Sequence, residues 1–269
     1  MTNDQPRGVR TEVHGSVLHI ILDRPEAANA FDIPAALALR EALDEAQDER
    51  HRAVLLTGAG ARFCAGGDVA SFMAAAEGER SAYLHELATM LEAQLRRLAD
   101  LAKPVVTAVQ GAVAGAGLAF VLNSDIVVAA RSTKFVWAYA GVGLTPDCGV
   151  SYLLPRVIGL QRALDMAIGG TMLSAQTAQE WGLVARVADD ERAQTIARDL
   201  VQTLAEGPTG AHGHAGRLLR QAFEVDRDTH AADEAATIAA RVNTPEAAAL
   251  IEQFSARSRT PGKGPAREA

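Results

Sequence analysis

The stretch from Gly111 to Val121, GAVAGAGLAFV, carries no charge and no hydroxyl, and its only ring is Phe120. It follows Lys103 to Gln110, which reads as a buried strand. A chain that leaves a strand through such small residues has two reasons to do so. Its backbone is packed tightly, or a ligand must touch the backbone itself. The second reason has a defined chemistry. A helix starting near Gly115 leaves unpaired N–H groups at its N-terminus, where the dipole favours negative charge. Such donors can stabilise a developing oxyanion. One donor is rarely enough, and a second loop of like composition, Cys64-Ala65-Gly66-Gly67-Asp68, also follows a strand. The plain alternatives are close helix–strand packing for the first loop and a simple glycine turn for the second.

Other chemistries fit poorly. A dinucleotide fingerprint needs a third Gly or Ala where this chain has Phe120, and a P-loop needs a Gly-Lys-Ser/Thr ending that is absent. Ser151 lacks the G-x-S-x-G context of a hydrolase nucleophile. His212 and His214 have no third ligand at a sensible spacing, so no metal site is expected. Cys64 and Cys148 read as small buried thiols. His85 reads as an exposed helix position that could also line a pocket. Trp137 and Tyr139 either shape a pocket or fill core.

The elements that must hold these residues alternate in the first half of the chain. Strands are expected at 17–22, 53–57, 105–109 and 125–130, with short ones at 134–136 and 183–187. Asp32 reads as an N-cap with Pro34 in the first turn, and Ser174 as a second cap. Leu84, Leu87, Leu91, Leu95 and Leu98 mark a long amphipathic helix. The segment 74–81 is small and polar, and mobility is expected there. From Gly149 onward the chain reads as almost entirely helical, with a last helix starting at Thr244-Pro245. The pattern is α/β, and by itself suggests an open parallel sheet.

Composition narrows the partners. The 269 residues carry a net charge of −7, which argues against a nucleic-acid surface. Two cysteines give no disulfide framework and suit a reducing compartment. No signal peptide or membrane span is apparent, so a soluble cytoplasmic protein is expected.

RFCAGGDV, KPVVTAVQGAVAGAGLAFVLNSDIVVAA and GLTPDCGVSYLLPRVIG together resemble the enoyl-CoA hydratase/isomerase (crotonase) superfamily. RPEAANAFD and MLSAQTAQEWGLVARV strengthen the likeness, which runs in order over roughly residues 15 to 190. The resemblance implies a crotonase-type spiral of strand-strand-helix turns, residues 1–195, with a helical oligomerisation region, 196–269. It implies a homotrimer or a dimer of trimers. It also implies an acyl-CoA substrate, with coenzyme A entering as part of the thioester and no separate cofactor. By motif position, the backbone N–H groups of Gly67 and Ala116 would hold the thioester oxygen. Ala28, Ala30, Ala65, Asp68 and Val69 would contact CoA, and Tyr139 the substrate. A basic C-terminal contact to CoA would fall on Arg257, Arg259 or Lys263.

An enolate site also needs a proton carrier. The two glutamates of the family's hydratases correspond to Ala119 and Tyr139, and neither is a carboxylate. Asp147 in LTPDCG is. Taken alone, an Asp after Pro reads best as the cap of a helix beginning near Gly149. In context, GLTPDCGVSYLLPR is similar to the matching segment of the family's epoxyphenylacetyl-CoA isomerases, which the resemblance implies use this Asp as the acid–base residue. Burial against Leu144, Cys148 and the acyl chain is expected for it. The family's dehalogenases also carry an Asp here, but with an indole at the Tyr139 position and a histidine at the Glu92 position. The expected chemistry is therefore migration of a carbon–carbon double bond. A hydratase pairing Asp147 with Glu92, and a non-catalytic acyl-CoA binder, are the rivals.

Overall fold

The computed structural model describes residues 8–259. Lys263, the side chains of Arg257 and Arg259, and most of the tail expected to be loose lie outside the described residues. Six strands form the larger sheet: β1 (Val9–His14), β2 (Val17–Leu22), β3 (Ala53–Gly58), β4 (Val105–Val109), β6 (Ile126–Ala130) and β9 (Arg186–Ala188), in that order. All neighbours are parallel except β1 with β2. β5 (Ala112–Ala114), β7 (Lys134–Val136) and β8 (Leu173–Ser174) form a second sheet. Single bridges, Phe31 with Gly67 and Cys64 with Val113, extend the second layer toward the N-terminal turns. Each turn thus gives one strand to the large sheet and a shorter piece to the second layer. This is the spiral, and it replaces the open sheet that the strand pattern alone suggests.

The helices are α1 (Ile33–Ala46), α2 (Val69–Ala74), α3 (Arg80–Ala99), α4 (Ala116–Leu122), α5 (Val150–Ile158), α6 (Leu160–Ala167), α7 (Ala175–Glu180) and α8 (Ala193–Glu206), followed by α9 (Thr209–Gln221), α10 (Arg227–Val242) and α11 (Pro245–Arg259). The expected caps are present. Asp32 accepts from the Ala35 amide at 2.8 Å, and Ser174 from the Thr177 amide at 3.0 Å. The leucine stripe of α3 buries Leu87, Leu91, Leu95 and Leu98. Segment 74–81, read from sequence as mobile, holds the end of α2, a short turn and the start of α3.

The central strands are buried on both faces, and their alternation sorts the side chains. Leu18, Ile20, Leu22, Val54 and Leu56 enter the main core with α1 and α3. Val17, Leu55, Val106 and Val128 face the other way, onto Ala197, Val201 and Ala205 of α8. Burying each such Val or Leu is worth roughly 1.5–3 kcal/mol. Arg52 completes the attachment by donating to the Ala205 and Gly207 carbonyls at the end of α8, both at 2.7 Å. The expected boundary at 195/196 therefore falls inside a helix that belongs to the sheet. Among the described residues, one compact unit runs to Thr209 and those from Gly210 onward form another. Within that second unit, Arg217 reaches Asp233 with both terminal nitrogens and donates to Thr237.

Candidate active site

Two glycine-rich loops are pressed together by backbone geometry. A Cβ at Gly117 would lie 2.5 Å from the Cys64 carbonyl oxygen, a distance real side chains do not tolerate. Gly115 has φ +52°, and a Cβ there would sit 3.1 Å from Gly66 Cα. Tight packing, the plain reading of GAVAGAG, is therefore real. It does not displace the other reading. The Phe31 amide donates to Gly66 O and the Asp68 amide to Phe31 O, both at 2.8 Å. That pairing leaves the Gly67 N–H on the opposite edge of its segment. Ala116 is the first residue of α4, so its N–H has no acceptor within the helix, and the cap residue Gly115 supplies no side chain. A Cβ on Gly66 would come within 3.6 Å of the Ala116 nitrogen. The two amides thus belong to abutting loops.

The first-turn loop is fastened by two residues whose roles the sequence does not announce. Asn29 is buried. Its side-chain nitrogen donates to the carbonyls of Ala59, Arg62 and Phe63 at 2.8–3.0 Å, and its oxygen accepts from the Arg24 amide. Arg24 spans Asp32 and Asp68 at 3.0 and 2.9 Å and also donates to Ala30 O. Ala28 has a left-handed backbone, φ +53°, and its carbonyl accepts from the Ala65 amide at 3.0 Å. Asp68 caps α2 through the Ala70 and Ser71 amides and also accepts from the Ser71 hydroxyl. Burial would raise the Asp68 pKa, but the hydrogen bonds from Ser71 and Arg24 outweigh it and hold the carboxyl below its ordinary value.

Beside these loops lies a cavity of about 380 Å³. Ala65, Gly66, Gly67 and Gly115 form part of its wall, and Val69, Tyr139 and Asp147 also line it. Phe72, Leu84, Leu87, Val142, Leu144 and Pro146 make much of the remainder apolar. Ala28, Ala30, Asp68 and Ala116 are not in the lining. His85 is exposed and does line it, so both sequence readings of that residue apply.

Asp147 does not cap α5. The cap residue is Gly149, with no side-chain hydrogen bond to the helix. Instead the Tyr139 hydroxyl donates to Asp147 Oδ1 at 2.9 Å. Tyr139 is buried and its ring meets Trp137 edge-on at 5.4 Å. Burial, and then the Asp147 charge, pushes the Tyr139 phenol up, so it remains a neutral donor. The expected burial of Asp147 is not found: the residue is exposed at the cavity rim, and Leu144 beside it is 40% exposed. Residues 141 to 145, which precede it, are exposed as well. The Cys148 thiol is buried and pushed up by that burial and by the charges of Asp147 and Glu92, and burial pushes Cys64 up to about 12. Neither is a ready nucleophile.

Glu92 comes within 3.3 Å of where a Gly149 side chain would start, and accepts from Arg96 at 3.0 Å. It is not in the cavity lining. Ala119 is fully buried in the core. Among the described residues, Asp147 is the carboxylate that the cavity wall presents.

Residues 12–254 match the enoyl-CoA hydratase/isomerase family, and the chain belongs to it. It is 41% identical to 1,2-epoxyphenylacetyl-CoA isomerase of Escherichia coli over 80% of this chain and 81% of that protein. It is 33% identical to trans-2-decenoyl-[acyl-carrier-protein] isomerase of Streptococcus mutans over 74% and 76% of the two chains. The structure of an enoyl-CoA hydratase from Polaromonas superposes with a TM-score of 0.86 at 30% identity, covering 93% of this chain and 97% of that one. The spiral expected from the motifs is the fold of these relatives.

Proposed function

We propose that the protein is an acyl-CoA isomerase that moves a carbon–carbon double bond through a thioester dienolate. The observation that carries this reading is the single carboxylate of Asp147 at the cavity wall, held by Tyr139 rather than used as a helix cap. The N–H groups of Gly67 and Ala116 would bind the thioester oxygen. Each such donor is worth about 2.7–4 kcal/mol to the transition state. Asp147 takes a proton from the α carbon of a β,γ-enoyl thioester, and the electron pair delocalises onto the oxygen. The same carboxyl returns the proton to the γ carbon, leaving an α,β-enoyl thioester. Ala28, Ala30, Ala65, Asp68 and Val69 serve the CoA portion, directly or by holding the loops, and no separate cofactor takes part. The assembly proposed is a homotrimer or a dimer of trimers.

Two features of the site favour one carboxylate over two. Ala119 cannot donate or accept a proton, and Glu92 accepts from Arg96 and does not line the cavity. The decisive experiment compares wild type with Asp147→Asn on a β,γ-enoyl-CoA, following product formation and deuterium uptake at the α and γ carbons. Loss of both activities with CoA binding retained is expected. Full activity in the variant would refute the assignment, and rapid hydration of crotonyl-CoA by the wild type would establish the hydratase reading instead.

A further inference from the structure

The edge of the large sheet brings together three side chains that have no part in the acyl-CoA site. Glu12 and His14 stand two residues apart on β1, hence on one face of the strand. β2 pairs antiparallel with β1, and its His19 lies directly opposite Glu12. Glu12 Oε2 is 3.1 Å from His14 Nε2 and 3.8 Å from His19 Nδ1. One donor atom from each residue lies within 4.8 Å of the other two.

His19 makes the cluster more than a surface coincidence. It is 5% exposed, and its Nε2 is engaged with the Thr57 hydroxyl at 2.8 Å. Its Nδ1 is buried with no hydrogen-bond partner and faces Glu12 at a distance too long for a hydrogen bond. A buried polar nitrogen left unpaired is costly. When Nε2–H donates to Thr57, the Nδ1 lone pair is free, and a partner of this kind is how proteins fix the tautomer of a ligating histidine. Arg10 occupies the other carboxylate oxygen of Glu12, Oε1, which turns Oε2 toward the imidazoles.

We propose that Glu12, His14 and His19 bind one divalent cation of the zinc class, with a fourth position open to water. Tetrahedral bonds of about 2.0–2.1 Å put ligand atoms roughly 3.3 Å apart. The distances to Glu12 bracket that value, and the exposed His14 can close the third side. Two imidazoles and one carboxylate suit zinc and its neighbours, whereas magnesium and calcium require several oxygen ligands. Arg10 and Arg198 bring positive charge near the site, which weakens binding of any dication held by charge alone and favours one that bonds to nitrogen.

The test uses the full-length, untagged chain after treatment with a chelator. Calorimetric titration with zinc should show one equivalent per chain and a raised Tm, and cobalt should give the visible absorption of a four-coordinate site. His14→Ala and Glu12→Gln change partly exposed strand residues, so folding by circular dichroism should be kept while uptake of that equivalent is lost. Thr57→Val should weaken zinc affinity by about 10–100-fold. Absence of stoichiometric zinc uptake, or uptake that survives in both His14→Ala and Glu12→Gln, would overturn the proposal.

Discussion

The Tyr139 hydroxyl donates to Asp147 Oδ1 at 2.9 Å, joining the buried start of one 3-10 turn to an exposed carboxylate eight residues later. The bond fixes Oδ1 against the buried phenol and orients the carboxylate at the cavity wall. Tyr139→Phe should therefore lower kcat with little change in KM. A hydrogen bond to a charged group is worth about 1.5–3 kcal/mol, so a fall of roughly 10- to 150-fold is expected. Steady-state kinetics on a β,γ-enoyl-CoA would read it, and an unchanged kcat would show that Tyr139 only fills space.

Gly67 and Gly117 should respond differently to the same added methyl. Nothing lies within 4 Å of a Cβ at Gly67, whereas one at Gly117 meets the Cys64 carbonyl at 2.5 Å. Gly67→Ala should fold with a stability change within about 0.5 kcal/mol. Gly117→Ala must push the loop of Cys64 aside, with an expected cost of about 1–3 kcal/mol. Urea titrations of the two variants would reverse this ranking if the loops are not in contact.

Asn29→Ala removes three donations, to the Ala59, Arg62 and Phe63 carbonyls, in one step. Leaving such groups unsatisfied costs about 1–3 kcal/mol or more. Because the same loop carries Ala28 and Ala30, KM for acyl-CoA should rise as well. Stability loss without any KM change would separate the loop from CoA binding.

Asp68 predicts a sign for the acid limb of stability. Its folded-state pKa lies below the ordinary value of 3.8, so the unfolded chain binds its proton first as pH falls. The stabilisation is fully present above the ordinary carboxyl value and is lost as pH drops through the lowered folded value. Asp68→Asn should be less stable than wild type at neutral pH, and the gap should narrow below about pH 4. A gap that stays constant with pH would mean that the Arg24 and Ser71 contacts do not depend on the Asp68 charge.

Local signals in the sequence carried much of this architecture. The Asp32 and Ser174 caps, the α3 leucine stripe and the central strands each depend on residues a few positions apart. Long-range pairing is what pattern alone misses. The order β4-β6-β9 and the bridge of Cys64 to Val113 join distant segments, so the spiral came only through resemblance. β1 was not legible because Val9–His14 alternates weakly between buried and open positions. Without β1 there is no register, and without register Glu12 and His14 do not meet His19. Taken alone, Asp147 reads as a cap, because an Asp just before a helix is a local signal; its role as the proton carrier comes through resemblance, and the Tyr139 hydroxyl that holds it lies eight residues earlier.

The fixed and adjustable parts of the pocket lie on separate pieces of chain. Where main chain abuts main chain, at Gly66, Gly115 and Gly117, almost no substitution can be absorbed. Phe72, Leu84 and Leu87 stand on α2 and α3 and line the cavity from outside those loops. New acyl preferences can therefore be sought by resizing those three walls, leaving the reacting centre as it is.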